Sequence, residues 1–298
     1  MLSIKATYQR FSTSQVFLRR LTMVLKVTIA VIMVIFAIFP VIWIFSASID
    51  PTSQLGSQSL IPRNAGLINF QKLLSDPLMP FWRWVWNSIK VASITTVLSL
   101  SITTMAAYAF SRLRFAGRIT MLKAIMLIQV FPNLLALVAI YLMIQQTGKI
   151  IPWLGLETHA GLIMVYLGGS MGVNIWLMKG FLDTIPRAID EAAMIDGATH
   201  WQTFTQLLLP LLRPILVVIG ILAFIGTYSD FVLARVLLSK AENYTLMVGL
   251  ALFTDNQFAQ NWGQFSAGAL IGALPVVTIY LLLQDQIAGG LTVGAVKG

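Results

Sequence analysis

Six stretches of the chain are long, apolar and almost free of charge, and they constrain its fold more than any other feature. A helix needs about 20 residues to cross the roughly 30 Å apolar layer of a bilayer. Lipid offers no partner for the backbone polar groups, so each stretch must satisfy them within a helix. The sequence therefore predicts an all-α polytopic membrane protein with six transmembrane helices. The stretches are 27–45, 91–111, 124–148, 160–178, 206–229 and 264–283.

The composition excludes the two other broad classes. Hydrophobic residues make up 57% of the chain and charged residues only 10%, whereas a soluble domain has about 25% charged residues. A disordered chain would be poor in apolar residues. A cleaved signal peptide is the alternative for 27–45, but a signal core has only about 7–15 apolar residues, and we expect this longer stretch to remain as an anchor.

Basic residues and tryptophans predict the orientation. With the N-terminus inside, thirteen of the 20 Lys and Arg residues fall on the cytoplasmic side, as the positive-inside rule requires. Six of the eight tryptophans fall at the opposite ends of the predicted spans, where amphipathic rings prefer the interface. Both termini are therefore expected in the cytoplasm. The predicted divisions are a cytoplasmic segment 1–26, the first span 27–45, an external loop 46–84, a five-span domain 85–284 and a cytoplasmic tail 285–298.

The chemistry of common enzymes and cofactor sites is missing. The chain has no cysteine, no HExxH pattern and no Walker A loop, so no metal, no nucleotide site and no cofactor on this chain are predicted. The net charge of +9 is assigned to cytoplasmic loops and membrane lipid rather than to nucleic acid.

Neutral polar residues within the spans have two interpretations. They form hydrogen bonds between helices, or some of them line a pathway for a neutral, hydroxyl-rich solute. An ion-coupled carrier usually keeps charged groups at the midplane, and these spans have almost none, so the energy for transport would come from another subunit. The residues are Thr103, Thr104, Gln129, Asn133, Ser170 and Asn174.

The loop between the fourth and fifth spans breaks the charge rule. Four acids and one base lie between Asp183 and Asp196. The pattern predicts a helix over Pro186–Asp196, a left-handed corner at Gly197 and a capping box that opens the next helix. Two prolines, Pro210 and Pro214, should break that helix. The loop either inserts an apolar ridge into a partner's basic groove or lies in the headgroups. The residues at helical spacing in the predicted ridge are Ile185, Ile189, Ala192 and Ala193, with Glu191 beside them.

This loop resembles the EAA signature of type I ABC importer permeases. Glu191-Ala192-Ala193 is followed at the family's spacing by Gly197 and then by Leu207-Leu208-Leu209-Pro210, where leucine replaces the usual isoleucine at position 207. The residues matched to the coupling role are Ile189, Glu191, Ala192, Ala193, Gly197, Leu209 and Pro210. Segments outside the loop, such as Ala106–Phe115 and Gly290–Gly298, look like the G-type permease subunits of maltose/maltodextrin importers.

The resemblance implies a type I ABC importer permease fold in a bacterial inner membrane, with 85–284 as the ABC transmembrane type-1 domain. It implies four kinds of partner: membrane lipid, a second homologous permease, an ATPase homodimer that carries ATP and Mg, and an extracytoplasmic sugar-binding protein. It further implies that Gly294, Lys297 and Gly298 contact the ATPase and that Asp255, Asn256 and Gln257 meet the binding protein. Trehalose, other oligosaccharides and glycerol phosphate remain alternative substrates. A secondary carrier and a membrane enzyme remain alternative classes.

Overall fold

The computed structural model describes residues 2–52, 59–130, 132–255 and 260–295, with side chains left out for 2–18, 133–134 and 287–295. These described residues contain helices and turns but no strand. The helices are α1 (Leu2–Ile49), α2 (Ile68–Ser75), α3 (Phe81–Arg112), α4 (Arg118–Val130), α5 (Leu137–Ile150), α6 (His159–Thr184), α7 (Arg187–Ile195), α8 (His200–Gln202), α9 (Leu209–Leu211), α10 (Arg213–Tyr228), α11 (Val232–Leu237), α12 (Leu246–Ala251) and α13 (Trp262–Ala295).

Four helices in the described ranges are long and apolar enough to cross a membrane. They are Arg19–Ile49, Phe81–Arg112, His159–Thr184 and Trp262–Gln286. A fifth candidate is the pair His200–Leu211 and Arg213–Tyr228, which is bent by 75°. The chain is therefore an all-helical multi-pass protein with four spans, or five when the bent pair is one span.

The predicted span 124–148 is not one helix. It divides into α4 and α5, with a 3₁₀ turn over Asn133–Ala136 between them. Proline lacks a backbone N–H and its ring clashes with the preceding turn, and Pro132 stands at this break. Neither α4, with 13 residues, nor α5, with 14, has the length of a transmembrane helix.

The chain divides into two compact units, of which the first contains Met1–Gln71 and Asn261–Leu270. In this unit the apolar side chains of α1 are exposed from Leu21 to Phe45, as expected for a helix surrounded by lipid. The buried Asn69 side chain donates to the carbonyls of Ser48 at 3.0 Å and Asp50 at 2.8 Å. These bonds fix the chain at the point where α1 ends.

The second unit contains Lys72–Gln260 and Ile271–Gly298. Here α3 packs against both α6 and α10, so it is the central helix of the unit. Near the C-terminal end of α3, buried apolar residues from several helices and from the chain after α7 form one cluster. We call it the core cluster. The cluster is Ala107, Tyr108, Met178, Leu182, Phe204, Leu208, Leu212 and Ile219.

Candidate functional site

The acidic loop folds into a short helix with defined ends. Pro186 precedes the first residue of α7, where its fixed φ suits a helix start, and α7 spans Arg187–Ile195. Gly197 has φ +86°. Its N–H donates to the Met194 carbonyl at 3.1 Å, and the next N–H donates to the Ala193 carbonyl at 2.9 Å, which is the Schellman pattern. The predicted helix and its glycine corner are both present.

The predicted capping box is also present. The Thr199 hydroxyl accepts the backbone N–H of Gln202 at 3.2 Å, and the Gln202 side chain accepts the Thr199 N–H at 2.8 Å. Two N–H groups at the start of α8 are thereby satisfied. The corner is therefore held on both sides of Gly197 by hydrogen bonds close in sequence.

One side of α7 is buried, and it carries the charged residue Asp190. Asp190 is 6% exposed, and its carboxylate lies 2.6 Å from Nε of Arg112, the last residue of α3. Burial raises the pKa of Asp190, whereas the Arg112 guanidinium acts in the opposite direction. A buried charge is tolerated when it is paired, and this pair joins two elements that are far apart in sequence.

Further hydrogen bonds join the end of α3 to α7 and to the residues just before α7. Arg112 donates from Nη2 to the Ile185 carbonyl at 2.8 Å, and Arg187 donates from Nη2 to the Ser111 carbonyl at 2.9 Å. The Ser111 hydroxyl donates to Asp183 Oδ1 at 2.5 Å. We call the contacts of Ser111 and Arg112 with residues 183–190 the α3–α7 junction. It anchors the start and the middle of α7 to the end of α3.

The other side of α7 is exposed and partly apolar. Ile195 is 86% exposed and Ile189 is 37% exposed. Ala188 and Ala192 are exposed between them, as are Glu191 and Asp196. Ala188, Ala192 and Ile195 recur at the helical spacing that places residues on one face. We call this surface, Ala188, Ile189, Glu191, Ala192, Ile195 and Asp196, the α7 ridge.

The predicted apolar face was therefore wrong in part. Ala193 is buried, and Ile185 is half-buried against the core cluster, while Ile189 and Ala192 point outward. The reason is Asp190. Its pairing with Arg112 turns that side of the helix inward, and hydrophobic spacing alone gave no sign of this.

The last two residues of the motif lie where the chain enters α10. A π-helical turn, Thr203–Leu208, precedes α9, which places the wider turn directly before Pro210. The predicted break is present as the 75° bend between His200–Leu211 and Arg213–Tyr228. Leu209 packs against the core cluster and Pro210 is exposed.

A second feature is a polar cleft of about 430 Å³ among α4, α6, α10 and α11. Three of the predicted neutral pathway residues, Gln129, Ser170 and Asn174, line it together with Thr227 and Asp230. The Tyr166 hydroxyl donates to Asp230 Oδ1 at 2.8 Å. Among the residues that the structure describes, no Lys or Arg lines the cleft. The described lining residues are Gln129, Val165, Tyr166, Gly169, Ser170, Val173, Asn174, Leu222, Ala223, Gly226, Thr227, Asp230 and Leu233.

Two of the other neutral polar residues do not line this cleft. Thr103 and Thr104 are buried and donate to the carbonyls of Ser99 at 2.7 Å and Leu100 at 2.6 Å within their own helix. The side chain of Asn133 lies outside the described residues.

The remaining predicted contact residues are only partly described. Asp255 forms an exposed ion pair of 3.3 Å with Arg235, while Asn256 and Gln257 lie outside the described residues. Gly294 belongs to α13, so the helix extends into the predicted tail. Lys297 and Gly298 also lie outside the described residues.

The sequence interpretation did not identify the α3–α7 junction or Asp230. In the sequence, Arg112 only follows the predicted span 91–111, and Asp190 is only one of four acids in the loop. The one available signal was the unusual pairing of an acid-rich loop with an arginine that ends a neighbouring span. For Asp230 the signal was a carboxylate at the end of an otherwise apolar stretch.

Known proteins are similar to this chain over most of its length. The family model of the binding-protein-dependent transport system inner membrane component matches residues 6–292. The maltose/maltodextrin transport system permease protein MalG of Vibrio vulnificus (strain YJ016) is 44% identical over 274 residues, which cover 88% of this chain and 91% of that protein. MalG of Escherichia coli (strain K12) is 43% identical over 225 residues, 76% of this chain and 75% of that protein.

Solved structures have the same fold. A chain of a bacterial ABC transporter involved in the import of the acidic polysaccharide alginate has a TM-score of 0.75 and 25% identity, covering 89% of this chain and 96% of that one. A chain of a bacterial alginate ABC transporter in complex with an alginate pentasaccharide-bound periplasmic protein has a TM-score of 0.66 at 16% identity, covering 88% and 92%.

Proposed function

The chain belongs to the family of binding-protein-dependent transport system inner membrane components, and from this premise we propose that it forms half of the translocation pathway of an ABC importer for maltodextrin-type neutral oligosaccharides. It is a multi-pass permease subunit and not an enzyme. In systems of this family the ATPase is a separate subunit. We assign ATP and Mg to that subunit and no cofactor to this chain.

The observation that carries the proposal is the α7 ridge. A nine-residue helix is too short to be stable alone, because isolated helices below about 12–15 residues are marginal in water. Here α7 is held by the α3–α7 junction and still exposes Ile189, Ala192 and Ile195 beside two acids. Small apolar residues allow close approach, and Glu191 and Asp196 suit a groove with basic side chains. We propose that the ATPase binds this ridge.

Cross-linking tests the proposal directly. The chain has no cysteine, so Ala192→Cys introduces a single thiol on the exposed ridge. In the assembled complex, a short thiol-reactive cross-linker should join it to the ATPase, and ATP should change the yield because the groove moves as the ATPase dimer closes.

The control variant is Ala241→Cys, an exposed position in the turn that receives the Trp84 indole N–H at 2.8 Å. It should be labelled by a membrane-impermeant reagent from the opposite side and should never cross-link to the ATPase. Absence of any Ala192 cross-link in a complex that contains the ATPase, or labelling of both cysteines from the same side, would overturn the assignment.

We further propose six spans with both termini in the cytoplasm. The basic-residue bias supports this orientation. The count reaches six if α4 and α5 cross as one broken span and the bent pair crosses as another, since irregular backbone is tolerated in a membrane where protein or water covers it. The single-cysteine variants above test the sidedness at two points.

The polar cleft supports a neutral sugar as the solute. Amide, hydroxyl and carboxylate groups can exchange hydrogen bonds with sugar hydroxyls, and the described part of the lining offers no cation for an anionic solute. The MalG relatives carry maltose/maltodextrin in their names at 44% and 43% identity. Uptake of labelled maltotriose by the reconstituted importer, competed by maltose but not by glycerol phosphate, is the expected result.

The transport cycle then follows from rigid-body motion. A binding protein delivers the oligosaccharide at the outer face, where Asp255, Asn256 and Gln257 are proposed to contact it. ATP closes the ATPase dimer, the groove moves α7, and this chain and its partner permease switch between inward-open and outward-open states. Gly294, Lys297 and Gly298 are proposed as a second contact with the ATPase.

A further inference from the structure

We propose that Arg112 and Asp190 are positioning residues that transmit the movement of α7 to the central helix α3. The inference rests on the proposed function, because it concerns how the ATPase-bound helix reaches the membrane helices. It goes beyond that function in naming the mechanical connection, which lies on the face of α7 opposite to the proposed ATPase contact.

The geometry of the connection ties the end of α3 to α7. The ion pair between Arg112 Nε and Asp190 is 2.6 Å long, and both side chains are almost fully buried, with 6% and 9% exposure. The same guanidinium donates to the Ile185 carbonyl, and Arg187 donates back to the Ser111 carbonyl. The end of α3 therefore contacts α7 at two residues, Arg187 and Asp190, and contacts Ile185 just before the helix. Because α7 is held at two residues one turn apart, it cannot slide or rotate without moving the end of α3.

A buried ion pair adds little stability compared with an apolar contact at the same place. Removing two charges from water has a large desolvation cost, and apolar replacements of similar volume are often as stable. What this pair adds is a defined position, since the guanidinium that faces Asp190 also donates along a fixed direction to the Ile185 carbonyl at 2.8 Å. An apolar contact at the same place would hold α7 and α3 together but would let them slip.

The position of α3 connects the α3–α7 junction with the helices around the polar cleft. It packs against α6 and α10, and these two helices provide most of the lining of the polar cleft. The end of α3 that carries Arg112 lies next to the core cluster, in which Ala107 and Tyr108 of α3 meet Met178 and Leu182 of α6. Displacement of Arg112 would therefore be passed to the helices around the cleft.

Three variants test the inference in the complete complex of both permeases, ATPase and binding protein, reconstituted in vesicles. Asp190→Asn removes one charge with little change in shape, and Arg112→Gln removes the other charge together with the Nη2 hydrogen bond to the Ile185 carbonyl. The double exchange R112D/D190R retains a pair with its polarity reversed. The control is Lys123→Gln, which removes one charge from an exposed position of α4 outside the α3–α7 junction.

The measured quantity is the number of solute molecules imported per ATP hydrolysed. Each single variant should lower this ratio about tenfold, because the charge that remains is left buried without its ion-pair partner, while the Ala192→Cys cross-link to the ATPase persists. The double exchange should recover most of the ratio. The control should leave it unchanged.

Two results would overturn the inference. One is an unchanged import ratio in both single variants when they are present in the membrane at the normal amount. The other is a double exchange that accumulates normally but still imports few solute molecules per ATP. If the single variants fail to accumulate, the import ratio of the double exchange alone tests the inference. A missing Ala192 cross-link in the otherwise unmodified complex would instead refute the proposed ATPase contact, so the two failures are distinguishable.

Discussion

Substitution of Gly197 tests whether the corner after α7 sets the orientation of the α7 ridge. The residue has φ +86°, and no atom lies within 4 Å of a Cβ built on it. The effect of a side chain is therefore conformational and not steric against neighbours. An L-residue in the left-handed region costs roughly 1–2 kcal/mol. Gly197→Ala should therefore lower the equilibrium constant for forming the left-handed corner by about 5- to 30-fold.

The series Gly, Asn, Ala, Val makes the prediction quantitative. Asparagine visits the left-handed region more readily than alanine, and a β-branched residue is the least tolerated there. Affinity of the purified ATPase for the permease pair should therefore fall in the order Gly197, Asn, Ala, Val. The assay is the apparent Kd for labelled ATPase at permease pairs in nanodiscs, together with ATP-driven uptake.

Gly180→Ala is the matched control. Gly180 lies in α6, also with no atom within 4 Å of an added Cβ, and alanine should stabilise that helix by about 0.5–1 kcal/mol. It should leave the affinity unchanged. Equal affinities for Gly197→Val and Gly180→Ala would refute the reasoning, since they would show that the corner does not determine how the ridge is presented.

Three further changes probe the ridge, the cleft and the fold. Glu191→Lys should leave the protein in the membrane but abolish most ATP-driven uptake, because it places a cation against the proposed basic groove; normal uptake at normal abundance would contradict this. Gly169→Leu should reduce maltotriose uptake without weakening ATPase binding, because Gly169 lines the cleft and its added side chain would occupy open space there. Gly168→Leu is the control, since Gly168 is equally open but does not line the cleft, and it should have no effect. Trp84→Phe removes the indole hydrogen bond to the Ala241 carbonyl and should destabilise the protein by about 0.5–1.5 kcal/mol, measured as a lower thermal midpoint; an unchanged midpoint would count against that bond.

Local features of the loop could be predicted from sequence because their causes lie within a few residues. The left-handed corner at Gly197 and the capping box of Thr199 and Gln202 are confirmed, as is the break at the prolines. Each depends on one residue type with a particular backbone preference or side-chain acceptor. The predicted helix Pro186–Asp196 differs from α7 by one residue at each end.

Features that depend on distant partners could not be predicted in the same way. Asp190 and Arg112 are separated by the whole of α4, α5 and α6, and no local pattern pairs them. Their contact determines which face of α7 is buried. Hydrophobic spacing therefore predicted the exposed positions of Ile189 and Ala192 but not the burial of Ala193. The cleft is similar: Gln129 was singled out as a polar residue, but only the structure places it beside Ser170 and Asn174.

The division of α7 into a buried charged side and an exposed apolar side has a physical consequence for coupling. An exposed apolar ridge gains free energy when a partner covers it, but a hydrophobic contact is non-directional and does not by itself define how the helix moves. Direction has to come from the buried side, where Asp190 and Arg187 are tied to the last two residues of α3. The ridge can therefore differ in sequence to fit one ATPase while the junction continues to set the movement. We accordingly expect ridge variants to change affinity for the ATPase and junction variants to change the number of solutes imported per ATP. A ridge variant with normal affinity but a tenfold lower import ratio would show that the two sides of α7 do not act separately.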